Sequence, residues 1–129
     1  MSDPIAGIAL YVDGQVDLDA TLDDVAAAVR SLDGAAHSLV VVELPSGKTV
    51  TLGGGPDRFV AEVAESTTER WCAVNPHAAG GTIELVVGGD VVEPPARLCI
   101  DRDAALEAAL TFVSQDGARS GRLPWSRET

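Results

Sequence analysis

Hydrophobic and polar positions alternate with a period of two through much of the chain, and a helical period interrupts them twice. The first alternation runs from Ile5 to Val12, where Ile8, Leu10 and Val12 recur between smaller residues. It predicts a strand ending in an Asp13-Gly14 turn. A short polar piece, Gln15 to Ala20, follows. Thr21 then stands where an N-cap belongs, Asp23 and Asp24 suit the positive end of a first turn, and Leu22, Val25, Ala26, Val29 and Leu32 form one stripe before Gly34. This predicts a first helix of about three turns.

From Ser38 the pattern becomes extended. Leu39-Val40-Val41-Val42 is too β-branched and too short for a comfortable helix, Pro45-Ser46-Gly47-Lys48 makes a turn, and Thr49-Val50-Thr51-Leu52 returns as the partner strand. Gly53-Gly54-Gly55-Pro56 breaks that strand. Phe59, Ala61 and Val63 mark the next extended segment, Trp71 to Val74 another, and Asn75 to Gly81 a loop.

Past Gly80-Gly81 come a strand from Thr82 to Val87, a Gly88-Gly89-Asp90 turn, the extended pair Val91-Val92, a Pro94-Pro95 break, and Leu98-Cys99-Ile100 leading into a second helix. Asp101 takes its N-cap position. Ala105, Ala109 and Phe112 recur on one face, with Leu106, Leu110 and Val113 widening the stripe, and Gly117 supplies the stop. A polar loop leads to Leu123-Pro124-Trp125.

Strands joined by short turns favour antiparallel pairing, because parallel neighbours need long crossovers. One helix near each end can then cover one sheet face. The predicted fold is therefore α+β: a single domain with a mainly antiparallel, meandering sheet and two helices packed on one face. Residues 1–118 form the domain and residues 119–129 a C-terminal tail or short terminal strand of it.

The C-terminal half resembles immunity protein family 1, from bacterial polymorphic toxin systems. The residues that carry the resemblance are Gly88, Gly89 and Asp90 of the turn, Glu93 and Pro94, the helix pattern Ala105, Ala108, Ala109 and Phe112, then Gly117, Pro124 and Trp125. The first half is similar in the order of its elements. The resemblance implies a protein that binds a cognate toxin domain and occludes its active site, with nucleic-acid-targeting deaminases, cytosine deaminases among them, as the leading toxin class. It implies no catalytic residue.

Composition narrows the alternatives. A chain of 129 residues suits one domain, and 46% hydrophobic residues support a packed core, built mainly from Val, Leu, Ile and Ala because aromatics make up 4%. The net charge of −11 argues against direct binding to nucleic-acid phosphates. Residues 1–118 hold 19 acidic and 6 basic side chains, a net −13, whereas residues 119–129 carry +2. An acidic face for a basic protein partner is one reading; solubility with a basic tail is the other. Cys72 and Cys99 make no disulfide framework. The N-terminus lacks the positive and apolar regions of a signal peptide, and no run of about 18 apolar residues suggests a membrane span. A cytoplasmic location is the expectation.

Catalytic and metal chemistry finds little foothold. Ser46-Gly47-Lys48-Thr49 mimics the end of a phosphate-binding loop, yet Val42 stands where that motif needs glycine, and a strand is expected where it needs a helix. Gly53-Gly54-Gly55 lacks the strand-to-helix setting of a dinucleotide loop. His37, His77, Cys72 and Cys99 show no ligand or nucleophile spacing. The expectation is a non-enzymatic binding protein with no cofactor and no metal, a monomer that binds its toxin one-to-one. A regulatory or scaffold module without a toxin partner is the alternative. The predicted toxin-binding residues are Asp57, Glu62, Glu65, Glu69 and Trp71 around the middle strands, and Glu84, Asp90 and Glu93 on the strand and turn that follow.

Overall fold

The computed structural model describes residues 7–128. The expectations for Ile5, Ala6 and the N-terminal tetrapeptide lie outside the described residues. Helix α1 (Leu22–Ser31) starts at a reciprocal cap: the Thr21 hydroxyl accepts from the Asp24 amide at 3.1 Å, and the Asp24 carboxylate accepts from the Thr21 amide at 2.9 Å. It ends at Ser31 rather than near Gly34, with Leu32 as an extended C-cap. Helix α2 (Arg102–Ser114) is capped by Asp101, whose carboxylate accepts from the Ala104 amide at 2.8 Å. At its other end Asp116 takes the left-handed conformation (φ 52°) ahead of Gly117 (φ 89°), and the Gly117 amide bonds back to the Phe112 carbonyl at 2.7 Å. The stop thus engages both residues, with the aspartate first.

The strands are β1 (Ala9–Val12), β2 (Gln15–Asp17), β3 (Leu39–Glu43), β4 (Thr49–Gly54), β5 (Phe59–Ala64), β6 (Arg70–Ala73), β7 (Leu85–Val87), β8 (Asp90–Val92) and β9 (Trp125–Glu128). Seven form one sheet in the order β2-β1-β3-β4-β5-β6-β9, every neighbour antiparallel, and β7-β8 form a separate hairpin. Three sequence expectations need correction. Gln15–Asp17 is the edge strand β2 rather than a polar connection. Gly53 and Gly54 continue β4, and the break comes at the cis Gly55-Pro56 bond. The strand expected over Thr82 to Val87 is paired as β7 over its last three residues, with Thr82 held separately opposite Pro95, and a 3-10 turn at Ala96–Leu98 precedes Ile100.

Register assigns each sheet face. Leu10, Val42, Val50, Val63 and Trp71 are successive cross-strand neighbours, and the first four are buried. Both helices cover this inner face: Val25, Val29 and Leu32 from α1, and Ala105, Ala109 and Phe112 from α2, join the sheet residues in one core. Burying a side chain such as Phe112 stabilises by roughly 1.5–3 kcal/mol. Arg102 ties the layers together, its guanidinium donating to the carbonyls of Arg30 at 2.7 Å and Pro56 at 3.0 Å. It thereby satisfies a carbonyl that the last turn of α1 leaves open.

Candidate interaction surface

On the opposite face another register row crosses the whole sheet: Val16, Tyr11, Val41, Thr51, Glu62, Cys72 and Ser126. Among the described residues neither α-helix lies over it. Instead the β7-β8 hairpin packs against one end, where its seat is prepared by glycine. A Cβ on Gly53 would stand 2.6 Å from a Val87 methyl. The Ser38 hydroxyl, almost fully buried, accepts from the Gly89 amide at 3.0 Å and anchors the hairpin tip.

Within the hairpin, Leu85, Val87 and Val92 turn toward the main sheet, while Val86 and Val91 turn outward. Between hairpin and sheet runs a groove of about 280 Å³, lined by Thr51 and Val60 of the sheet and by Val87, Val92, Pro94 and Leu98 of the hairpin segment. Glu62 and Cys72 complete its sheet side. The Cys72 thiol points to the Glu62 carboxylate at 4.0 Å, and Arg70 Nε stands 3.8 Å from the same carboxylate. Burial first, then the charges of Glu62 and Glu128, push the Cys72 thiol up to about 11. A thiol so placed stays protonated and unreactive at neutral pH.

The structure separates the acidic residues expected at an interface into two groups. Glu65 pairs with Arg119 at 3.1 Å and Glu69 with Arg127 at 3.9 Å. Trp71 shares the inner face with Val63, and the Arg119 guanidinium stacks over its ring at 3.8 Å. These three residues build the helix-side rim of the fold. Glu62 faces the groove. Asp90 opens β8, Glu84 and Glu93 flank the hairpin strands, and Asp57 lies in the β4-β5 turn, beyond the end of β4 that Leu85 packs against. None of these last four carboxylates has an ion pair or side-chain hydrogen bond among the described residues. Beside them Val91 and Val92 are 64% and 37% exposed, two of four large hydrophobic side chains left open to solvent among the described residues. In the sequence these valines are only a short extended pair. Their position directly after a Gly-Gly-Asp turn, with no helix in reach, was the available signal.

Elsewhere, a wider and shallower depression of about 520 Å³ borders Lys48, Glu65, Arg119 and Ser120, but its main opposite charges already meet each other. His37 Nδ1 lies 2.8 Å from the Asp13 carboxylate, and the buried Cys99 thiol donates to the Pro95 carbonyl at 3.5 Å. Among the described residues no three His, Cys, Asp or Glu side chains gather as a metal set, and no helix is long and apolar enough to cross a membrane.

An antiparallel sheet with both helices on one face, and on the other a hairpin over a groove that holds the Glu62 carboxylate, makes a small α+β domain. The chain belongs to the family described as Immunity protein Imm1, whose sequence model matches residues 6–127. It is accordingly an immunity protein, a class whose cognate partner is a toxin. Comparison with curated proteins gave no match.

Proposed function

We propose that this protein neutralises its toxin by direct one-to-one binding that covers the toxin's active site, and that the toxin is a nucleic-acid-targeting deaminase. The observation that carries the reading is the β7-β8 hairpin: adjacent exposed valines bracketed by Glu84, Asp90 and Glu93, none of them neutralised by a cation among the described residues. Apolar contact supplies affinity at such a surface. Uncompensated charge steers a partner of opposite sign. Enzymes that act on nucleic acid need basic substrate grooves, which supports this toxin class for an acidic inhibitor. Glu62, Glu84, Asp90 and Glu93 then carry the interface with Asp57 at its margin, while Glu65, Glu69 and Trp71 serve the fold.

The test is co-expression with the toxin domain encoded in the neighbouring reading frame. Cells should survive, and the two chains should elute together at one-to-one stoichiometry. Because a single exposed charge pair contributes about 0.2–1 kcal/mol, the charges should be reversed together. Glu84→Lys, Asp90→Lys and Glu93→Lys combined should slow association about tenfold and flatten its salt dependence in a folded protein. Asp17→Lys, Asp19→Lys and Asp23→Lys combined should leave association unchanged. The opposite pattern would place the interface on the other side of the molecule.

A further inference from the structure

The groove on the outer face joins two properties that a single guest must satisfy. Its apolar lining is Val60, Val87, Val92, Pro94 and Leu98, and its sheet side carries Thr51 and the Glu62 carboxylate. That carboxylate is weakly engaged within the chain. Its contacts to Arg70 at 3.8 Å and Cys72 at 4.0 Å lie at the outer limit of ion-pair and sulfur hydrogen-bond distances, and its side chain is 38% exposed. Arg70 itself is 57% exposed.

We propose that this groove is the receptor for one arginine side chain of the toxin domain; the assignment rests on the toxin-binding function proposed above. A wholly apolar guest such as leucine would cover Glu62 without offering it a hydrogen bond, leaving the carboxylate with only its two long contacts, and burying a carboxylate so poorly paired is costly. A lysine brings a compact, strongly hydrated ammonium that meets the carboxylate as a point charge and must shed its hydration beside a mostly apolar lining. Arginine meets both demands: its methylene stem lies on the valines and Leu98, and its planar head can grip the carboxylate through two N–H donors. The surrounding charge favours the same guest, since among the described residues Asp90 and Glu93 on the hairpin have no cationic partner.

The assignment is tested first without any toxin. The full chain is titrated with N-acetyl-L-arginine methylamide and with the matching lysine and norleucine derivatives, following backbone amides by NMR. The arginine derivative should give saturable shifts at Val60, Glu62, Cys72 and Val92 at roughly millimolar concentration. The other two should shift them less, and Glu62→Gln, isosteric with the native side chain, should abolish the response. Equal response to norleucine, no saturable response, or an unchanged response in Glu62→Gln overturns the proposal.

The second arm uses the neighbouring toxin domain. Glu62→Gln and Val92→Ser, each checked for an unchanged melting transition, should both raise Kd at least about tenfold, mainly through faster dissociation. Wild-type binding that survives both substitutions overturns the groove assignment and leaves the immunity reading standing. Absence of any wild-type complex overturns the toxin reading and with it the guest's origin, while the probe titration separately decides whether the groove selects arginine.

Discussion

Asp13 shows how much one side chain can organise. It sits in the left-handed region (φ 50°), and its carboxylate accepts from the amides of Ser38 at 2.9 Å and Leu39 at 3.2 Å while facing His37 Nδ1 at 2.8 Å. Burial pushes the Asp13 carboxyl up, but the hydrogen bonds from Ser38, His37 and Leu39, with the His37 charge, outweigh it and hold the group below its ordinary value. A carboxyl whose folded value is depressed stabilises the fold above its unfolded value, and that contribution is lost as pH falls through the folded one. Asp13→Ala should therefore cost on the order of 1–2 kcal/mol near neutral pH, with the difference from wild type shrinking on acidification below the carboxylate range. Urea melts across that range measure it; a constant difference would refute the carboxylate's role. Cys72 gives a second residue-scale expectation. With its thiol pushed up to about 11, it should alkylate far more slowly at neutral pH in the native protein than in the unfolded chain, as mass spectrometry of timed labelling will report.

At the scale of elements, the seat of the hairpin is the most exposed to challenge. Gly53 does not need a left-handed backbone, so alanine is conformationally permitted there, yet its Cβ would meet Val87 at 2.6 Å. Gly53→Ala should destabilise by about 1–3 kcal/mol and speed amide exchange through Leu85–Val92, and Val87→Ala in the same chain should recover part of both. If the double variant is no better than the single one, the clash lies elsewhere. Much of this element map was readable in the sequence: the Thr21 and Asp101 caps, the Leu39–Val42 and Thr49–Leu52 hairpin, and the Phe112 stripe all rest on local chemistry. Strand β2 escaped because Gln15, Val16 and Asp17 are all exposed and present no inward hydrophobic position. The Asp13-Gly14 pair, suited to a tight hairpin turn, was the clue to it. The continuation of β4 through Gly53 and Gly54 was illegible for a different reason. Glycine there makes room for a hairpin distant in sequence, and no local pattern announces such a neighbour. The grouping of the acidic residues failed to show for the same cause, since pairing Glu65 with Arg119 joins residues that only the tertiary fold brings together.

For the whole molecule, charge and strand order matter most. A net charge of −11 remains after all nine Lys and Arg side chains are counted, so mutual repulsion should dominate the salt response. Raising ionic strength from ~0.01 to ~0.15 M should raise the melting temperature of the free protein while slowing its association with toxin. Opposite signs for the two effects would show that the same charges act against the fold and for the encounter. A melting temperature that falls with salt would instead mean that the ion pairs prevail.

Strands β3 to β6 follow one another in sequence and in the sheet, whereas β9 reaches β6 across all of residues 74–124. Short loops close at smaller entropic cost and form sooner, so the β3–β6 meander is the part of the chain able to assemble first, with β9 joining late. The groove straddles this division. Val60, Glu62 and Cys72 belong to the early meander, but Val87, Val92, Pro94 and Leu98 arrive with the later segment. A half-folded chain therefore has one wall of the groove and no site. Recognition becomes a property of the finished molecule, and any guest held there acts as a clasp across the last contacts to form, slowing unfolding for as long as the complex lasts.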